Sequence, residues 1–284
     1  MSNRIKIGII GLGLMGGSFA LALKREFKKQ EKPLQIIGLD HNIQHSLEAL
    51  ELKIVDRITD DLNDLLNLNL IILAIPVNAI LSVLPQLKGA AEHTTIVDFG
   101  STKEKIVETI PKEIRKNFIA AHPMTGTEKS GPTAADRKLY RGKVIVLCDT
   151  EENSGKHLYF AKDIFRGIGM KIIKMNAKEH DRHAAFISHM PHAVSYALAN
   201  SVLKQEQKRA ILALAGGGFR DMSRIAKSTP NMWIDIFEQN SKNLLDATEC
   251  FIEELQQFQE YVKNQDWKNV KIWIERANKL HEII

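Results

Sequence analysis

The sequence predicts an α/β fold, a doubly wound and mostly parallel sheet, followed by a second domain that is all α. In the first 175 residues, short apolar runs alternate with helix-length segments. Near-continuous apolar strands between helices are typical of a parallel sheet covered on both faces. After about residue 176 the strand-like runs stop, and long amphipathic segments follow one another. We therefore expect one domain over residues 1–175 and a second, helical domain over residues 176–284.

Seven apolar runs are predicted to form the strands. They are Ile5–Ile10, Leu34–Leu39, Leu70–Ile75, Thr94–Val97, Phe118–Ala121, Lys143–Leu147 and Met170–Lys174. Apolar residues at three- and four-residue spacing predict helices between them. Examples are Ser18–Phe27, Ile43–Leu52 and Tyr159–Gly167. In the second domain the expected helices are His180–Val202, Gln205–Ala215, Met232–Lys263 and Trp267–Ile283. Pro191 lacks a backbone donor and should kink the first of these.

The composition is that of a globular protein of the cytoplasm. Hydrophobic residues make up 44% and charged residues 26% of the chain. No uncharged apolar run approaches the roughly 18 residues of a membrane span, and we see no signal peptide. Cys148 and Cys250 form no C-x-x-C pair, so we expect neither disulfides nor a zinc module. The net charge of +5 lies in the first domain without interleaved aromatic residues, which favours anionic small molecules over nucleic acid or membrane.

A glycine-rich turn follows the first predicted strand and opens the first predicted helix. Its residues are Gly11, Leu12, Gly13, Leu14, Met15 and Gly16. In this context G-x-G-x-x-G is the fingerprint of Rossmann-like, dinucleotide-binding folds. The first glycine permits the tight turn, the second lets the backbone approach a pyrophosphate, and the third lets the helix pack on the strand. An ordinary glycine-rich turn is the alternative, and the flanking strand and helix favour the nucleotide site.

Asp40 ends the second predicted strand. A carboxylate there accepts hydrogen bonds from the adenosine ribose and repels a 2′-phosphate. No arginine follows directly, since the next residues are His41 and Asn42. We therefore expect NAD as the cofactor rather than NADP. The alternative role of Asp40 is to cap the helix that starts near Ile43.

Polar residues are concentrated in three further places. Asp98–Lys103 and His122–Glu128 each follow a predicted strand, and ligands bind at the carboxyl ends of strands in such sheets. The third place is in the helical domain, where Ser188–His192 and Gly216–Arg224 are rich in polar residues and glycine. Structural alternatives exist for each: Ser101 could cap the following helix, and a single histidine after a strand is more often structural than catalytic.

Two histidine pairs with a spacing of three residues raise the question of a metal site. They are His180 with His183 and His189 with His192. Zinc needs a third and fourth ligand, and no Cys or Glu-x-x-His pattern supplies them, so we expect no metal. Ser101 and His122 could suggest a hydrolase, but the chain lacks a G-x-S-x-G turn.

Together these motifs resemble the prephenate dehydrogenases and their arogenate dehydrogenase relatives. The resemblance spans nearly the whole chain and rests on Gly11–Gly16, Asp98–Lys103, His122–Gly131, Ser188–His192 and Gly216–Ala226. It implies a nucleotide domain followed by a helical dimerisation domain, and hence a homodimer. It implies NAD-dependent oxidative decarboxylation of prephenate to 4-hydroxyphenylpyruvate in tyrosine biosynthesis. We expect the single-function form, without a chorismate mutase segment or a regulatory domain.

The resemblance also implies roles for single residues. His122 would accept a hydrogen bond from the C4 hydroxyl of prephenate and act as a neutral base. Ser101 would orient His122 and touch the hydroxyl or the nicotinamide. Arg224 would clamp a substrate carboxylate with its guanidinium fork. Trp233 would form core or a wall near the pocket. The other residues expected at the substrate are His192, Ser188 and Thr127.

Three alternatives stay open at this point. Thr102 stands where the family commonly has valine, and this leaves undecided whether the substrate is prephenate or arogenate. A hydroxyacid dehydrogenase would use a lysine in the helical domain, where this chain offers histidines instead. A non-catalytic NAD-binding regulator would leave the His122 and Arg224 clusters without a use.

Overall fold

A computed structural model describes residues 4–283, and their strands form one eight-stranded sheet in the order β3-β2-β1-β4-β5-β6-β7-β8. The strands are β1 (Ile5–Ile10), β2 (Leu34–Leu39), β3 (Arg57–Ile58), β4 (Leu70–Leu73), β5 (Thr95–Asp98), β6 (Phe118–Pro123), β7 (Val144–Cys148) and β8 (Lys171–Met175). All neighbouring strands are parallel except β6 and β7. The predicted doubly wound, mostly parallel sheet is confirmed. The sequence analysis missed β3, whose two residues are too few to show a pattern.

Five helices accompany this sheet: α1 (Leu14–Lys29), α2 (Ile43–Glu51), α3 (Val77–Val83), α4 (Glu104–Thr109) and α5 (Gly155–Gly167). They bury two apolar clusters, which contain alternate residues of the central strands. In β1, Ile7 and Ile9 belong to one cluster and Ile10 to the other. Because successive side chains of a strand point to opposite faces, the sheet is covered on both faces. The strand order reverses between β1 and β4, and the crevice at such a reversal is where ligands bind.

After β8 the chain is helical. The helices are α6 (Ala177–Ala184), α7 (Met190–Leu203), α8 (Lys208–Ala213), α9 (Gly217–Arg224), α10 (Pro230–Gln239), α11 (Ser241–Lys263) and α12 (Trp267–Asn278). The step from strand to helix falls between Met175 and Ala177, at Asn176. The domain boundary at 175/176 stays a prediction, and its outer limits at residues 1 and 284 lie outside the described residues. No helix among residues 4–283 has the length and apolarity needed to cross a bilayer.

Two of the helices expected in this half differ from the structure. The predicted helix Met232–Lys263 is two helices, separated at Asn240, whose backbone leaves the helical region with φ −114° and ψ 27°. The side chain of Asn240 is buried in hydrogen bonds to other elements, so tertiary contacts override the apolar periodicity here. The predicted helix Gln205–Ala215 shrinks to α8.

The predicted kink at Pro191 takes the form of a π-helical turn, Ala185–His189, between α6 and α7. Proline in a regular helix removes one hydrogen bond and its ring collides with the carbonyl four residues before it. Widening the preceding turn relieves that conflict, and such π-turns are frequent at functional sites. Ser188 and His189 lie on this turn.

The helical half packs against the sheet through α10. Trp233 and Ile236 of α10 are 5% and 2% exposed and belong to the apolar cluster that also contains Ile10 and Ile80. Polar contacts join the halves as well: Thr102 donates to Gln239, and Asn78 donates to Asp235. The residues after β5 and those of α10 are thereby held together, at the carboxyl edge of the sheet.

Candidate active site

The glycine turn has the geometry that its three glycines predict. Gly11 has φ +90°, and a Cβ there would lie 2.3 Å from the carbonyl oxygen of Ala74. A Cβ on Gly16 would lie 1.9 Å from the carbonyl oxygen of Gly11. Gly13 is different, because a Cβ there would meet nothing closer than 3.9 Å. Gly11 and Gly16 are therefore needed by the protein itself, whereas Gly13 leaves open space in which a pyrophosphate fits.

Asp40 lies directly beside this turn. Its Oδ2 accepts a hydrogen bond of 2.8 Å from the backbone N–H of Leu12, and its Oδ1 accepts one of 2.9 Å from that of Asn42. Asn42, not Asp40, caps α2 through its own side chain. Each carboxylate oxygen keeps acceptor capacity beyond these bonds. The position and the chemistry fit an adenosine ribose, so the residues present fit NAD.

A buried ion pair fixes the loop after β5. Lys103 and Asp98 are both 0% exposed and are hydrogen-bonded to each other, and Nζ of Lys103 also donates to the carbonyl of Ala121 at 2.8 Å. The backbone N–H of Gly100 donates to Asp98 at 2.9 Å. A buried charge is tolerated only when it is paired and hydrogen-bonded. This ion pair joins β5 to β6. It also fixes the loop between β5 and α4, in which Ser101 lies.

His122 lies on β6, at the same carboxyl edge, because β5 and β6 are parallel. Its Nδ1 is 2.8 Å from Nε2 of His180, whose Nδ1 is 2.7 Å from Oδ1 of Asp181. Burial lowers the pKa of His122 well below its usual value, and the nearby His180 and Lys103 lower it further. The imidazole is therefore neutral at pH 7, the form that a proton acceptor needs.

This arrangement corrects one expectation. Ser101 was expected to orient His122, but within residues 4–283 no hydrogen bond joins them, and His180 occupies the Nδ1 side of the ring. The predicted contact of Ser101 with a substrate hydroxyl or the nicotinamide stays a prediction. In the described part of the chain, no three histidine, cysteine or acidic side chains are grouped as a metal ion would require.

A second histidine cluster lies on the π-turn and α7. Nδ1 of His189 accepts a hydrogen bond of 3.0 Å from the amide of Asn240, and its buried Nε2 has no partner within residues 4–283. Burial lowers the pKa of His189 to about 4. His192 donates from Nδ1 to the carbonyl of Ser188 at 2.8 Å and stacks on Trp233, with ring centroids 3.6 Å apart. The neutral rings of His189 and His192 and the indole of Trp233 therefore pack against one another, as one wall of the candidate site.

Arg224 ends α9, and its Nη1 is 3.3 Å from Oε2 of Glu128, in the loop after β6. Burial lowers the pKa of His192, and the charge of Arg224 lowers it further. Arg220 turns away and donates to the carbonyl of Ala215. Thr127 is exposed, beside Glu128 in the same loop. Arg224 and not Arg220 therefore faces the loop that follows the proposed base.

Sequence reasoning missed several residues that hold this site together. His180 was noticed only for its spacing from His183. The acidic residue directly after it, Asp181, was a usable signal. Asn240 gave no signal of its own, because its contacts with Asp181 and His189 lie far away along the chain. Lys103 and Glu128 belonged to recognised motifs but received no role. The wall formed by Trp233 agrees with the expectation from the sequence.

A Rossmann-like sheet, a glycine turn with a carboxylate after β2, and a neutral histidine at the same edge define a nucleotide-dependent dehydrogenase. Comparison with known proteins identifies which one. Family models match residues 19–174, as "Prephenate dehydrogenase, nucleotide-binding domain", and residues 176–276, as "Prephenate dehydrogenase, dimerization domain". The chain therefore belongs to the prephenate dehydrogenase family and is an NAD-dependent oxidoreductase. The alternative of a non-catalytic regulator is set aside.

Individual relatives agree with this assignment. A prephenate dehydrogenase of Bacillus subtilis is 33% identical, over 94% of this chain and 73% of that protein. The crystal structure of prephenate dehydrogenase from Aquifex aeolicus, in complex with hydroxyphenyl propionate and NAD+, matches with a TM-score of 0.90 and 32% identity, over 99% of each chain. An arogenate dehydrogenase of Synechocystis matches with a TM-score of 0.80 and 28% identity, over 98% of this chain and 99% of that one.

Proposed function

We propose that this protein catalyses the oxidative decarboxylation of prephenate to 4-hydroxyphenylpyruvate, a step of tyrosine biosynthesis. The observation that carries the proposal is His122, a neutral imidazole at the carboxyl edge of the sheet, the edge at which the glycine turn also lies. Family membership supplies the substrate class.

The reaction removes a hydride and a carboxylate from one ring. Prephenate carries a hydroxyl and a hydrogen on C4 and a carboxylate on C1. The C4–H bond breaks with its electron pair leaving as hydride, and the hydroxyl proton passes to Nε2 of His122 as the C4 carbonyl forms. The C1–carboxylate bond then breaks and carbon dioxide leaves. Its electron pair makes the ring aromatic and moves the C4 carbonyl electrons onto the oxygen, which takes the proton back from Nε2 of His122 as the hydroxyl of 4-hydroxyphenylpyruvate. NAD, when bound, supplies the hydride acceptor. Gly11–Gly16 and Asp40 would hold it.

The substrate is a dianion, so its pocket needs cationic and neutral donors. Arg224 would bind one carboxylate in a bidentate manner. It is paired with Glu128 at 3.3 Å, a contact that a substrate carboxylate would compete with. Ser101 would contact the C4 hydroxyl or the nicotinamide. The wall of the pocket would be formed by His192, Ser188 and Thr127.

Arogenate is the second candidate substrate, because the Synechocystis relative is an arogenate dehydrogenase. Arogenate has an amine where prephenate has a keto group, so both offer the same ring to His122. The deciding experiment follows reduced-nicotinamide absorbance with NAD and each substrate in turn. We expect kcat/KM to be higher with prephenate. A higher kcat/KM with arogenate would make arogenate the preferred substrate. No turnover with either compound would refute the proposed function.

We further propose that the helical half forms a homodimer in the cytoplasm. Large apolar side chains are exposed on its helices and loops, including Leu214 (87%), Leu245 (68%), Ile234 (61%) and Trp267 (60%). Exposed apolar surface on this scale is typical of an interface between subunits. Cys148 and Cys250 are both free, which is consistent with a reducing compartment.

Sedimentation of two variants of α11 tests the dimer. Leu245→Asp should dissociate it, because a charge buried in an apolar interface is costly. Gln256→Asp is the matched control, since it adds the same charge at an exposed polar position of the same helix. A wild-type protein that sediments as a monomer would refute the homodimer.

A further inference from the structure

A row of three hydrogen-bonded side chains, two of them buried, runs from the proposed base into the helical half. His122 contacts His180 at 2.8 Å, and His180 contacts Asp181 at 2.7 Å. His180 and Asp181 are each 2% exposed, so solvent does not compete for these hydrogen bonds. The row ends on α6, whose side chains the sequence analysis had not assigned to catalysis.

Asp181 is held firmly at the end of this row. Its Oδ1 accepts a hydrogen bond of 2.7 Å from the backbone N–H of Lys103, and its Oδ2 accepts one of 2.9 Å from that of Glu104. Its own carbonyl accepts from the amide of Asn240 at 2.7 Å. With backbone donors at both oxygens, this carboxyl group is arranged as a hydrogen-bond acceptor, and it accepts from His180 as well.

The acceptor role of the Asp181 carboxylate determines which ring nitrogens of His180 and His122 carry a proton. Because the Asp181 carboxylate only accepts, Nδ1 of His180 must carry the proton of their hydrogen bond. Nε2 of a neutral His180 then has a lone pair, and it must accept from Nδ1–H of His122. A neutral His122 with its proton on Nδ1 has its lone pair on Nε2. With His180 neutral, every other distribution of protons breaks one of the two bonds. A doubly protonated His180 would instead donate to Nδ1 of His122 and leave the proton of that ring on Nε2.

We propose that Asp181 and His180 are positioning residues that hold His122 in the tautomer whose Nε2 accepts the substrate's hydroxyl proton. This inference rests on the proposed function, since it assigns the atom of His122 that acts there. The same two hydrogen bonds stabilise His122 after it has taken the proton, because the imidazolium is then connected through His180 to the Asp181 carboxylate. An aspartate behind a catalytic histidine performs both tasks in serine proteases.

Nitrogen-15 NMR of the histidine-labelled wild-type enzyme tests the tautomer directly, with the His122 signals assigned by their loss in His122→Asn. We expect a neutral ring protonated at Nδ1 and unprotonated at Nε2. A neutral ring protonated at Nε2 overturns the proposal. This measurement needs no turnover, so it separates the two ideas: failure to oxidise either substrate refutes the proposed function, whereas the NMR signal decides the tautomer.

Steady-state kinetics of two replacements tests the positioning role. His180→Leu removes the acceptor at similar volume, and we expect kcat to fall about 10²-fold, the lower end of what a positioned base contributes, with little change in the KM for prephenate. His180→Gln keeps a carbonyl that can accept from His122, so its kcat should lie about ten-fold above that of His180→Leu, half of the loss on a free-energy scale. His183→Leu, an exposed histidine of the same helix, is the control.

Two outcomes of the kinetics would overturn the proposal: a kcat of His180→Leu within a few-fold of wild type, or equal losses in His180→Leu and His180→Gln. Titration of NAD and thermal melting show whether each variant is folded. If His180→Leu does not fold, the wild-type NMR signal and His180→Gln decide the question.

Discussion

The two sides of the site are built in different ways. The nucleotide side comes from adjacent strands, β1 and β2, and is joined locally, by the hydrogen bond from Leu12 to Asp40. The substrate side combines β6, the loop after β5, α6, the π-turn, α9 and α10, and buried hydrogen bonds such as that from Asn240 to Asp181 hold it together. Its members are separated by about a hundred residues of sequence.

This difference predicts how the two sides fail. A local turn depends on a few backbone positions, and each change there should affect nucleotide binding alone. An assembled cluster depends on the docking of the helical half on the sheet, so its members act as a unit. The variants that follow test this separation, in order from the largest expected effect to the smallest.

His122→Asn should affect turnover alone. Asparagine cannot reach the position of Nε2, so the substrate's hydroxyl proton has no acceptor, and we expect kcat to fall about 10²–10⁴-fold. NAD affinity should stay within about two-fold of wild type, because His122 lies outside the glycine turn. Steady-state kinetics and NAD titration measure both quantities. His93→Asn, an exposed histidine before β5, is the control, and a His122→Asn enzyme with near-normal kcat would remove His122 from the reaction.

The pH profile of kcat/KM sharpens the same point. From the sequence alone, the base would titrate near neutral pH. Burial and the neighbouring His180, Lys103 and His189 lower the pKa of His122 well below its usual value. Since the neutral form is active, activity should stay constant through neutral pH and fall only in acid, below the ordinary histidine value of about 6.5. An acidic limb above pH 6.5 would contradict this.

Stability should also fall in acid, and mostly because of the assembled side. Burial lowers the pKa values of His122, His189, His192 and His157 in the folded protein. The unfolded chain therefore binds protons first, and stability present above pH 6.5 is lost as the pH falls. For His189, with its pKa lowered to about 4, the full loss is about 3 kcal/mol once the pH is below 4. Denaturant unfolding between pH 7.5 and 4.5 measures it, and a stability independent of pH would contradict it.

The same contrast explains what could be predicted from the sequence. Strands such as Ile5–Ile10 and the turn after them depend on neighbouring residues, so local pattern was sufficient, and the structure reproduces them. The break at Asn240 and the partner of His122 depend on contacts 51–59 residues away along the chain. Periodicity carries no information about such distances. Residues of the substrate side could be recognised as a family motif, but their connections could not.

Arg224→Ala should raise the KM for prephenate and leave NAD affinity nearly unchanged. The Arg224 side chain is 56% exposed, so the loss of its hydrogen bond to a substrate carboxylate should cost about 1.4 kcal/mol, which is roughly ten-fold. Arg224→Lys should restore only part of the affinity, because an ammonium lacks the bidentate fork. Steady-state kinetics with each substrate varied in turn measures the effect.

Arg220→Ala is the matched control for Arg224. It lies on the same helix but donates to the carbonyl of Ala215 instead of facing Glu128, so its KM for prephenate should be close to that of wild type. If Arg220→Ala raises this KM while Arg224→Ala does not, the carboxylate is bound by the other arginine.

Asp40→Asn should have the smallest effect, confined to the nucleotide side. The amide keeps one acceptor oxygen, so the hydrogen bond from Leu12 or that from Asn42 can persist. It removes the negative charge that would repel a 2′-phosphate. We expect NAD affinity to fall by only a few-fold, since a single hydrogen bond is worth about 1 kcal/mol. The preference for NAD over NADP should narrow by a similar factor, measured as the ratio of kcat/KM values.

Asp40 gives a clean test of the separation between the two sides, because its replacement should change nucleotide binding and leave prephenate binding unchanged. The KM for prephenate should not change, since no hydrogen bond or ion pair among residues 4–283 links Asp40 to His122 or Arg224. Asp40→Ala serves as the stronger variant, because it also deprives the Leu12 N–H of its acceptor, and it should weaken NAD binding further than Asp40→Asn does. If the wild-type enzyme reduces NADP as efficiently as NAD, Asp40 does not select the cofactor. If Asp40→Asn instead raises the KM for prephenate, the two sides of the site are not as separate as their construction indicates.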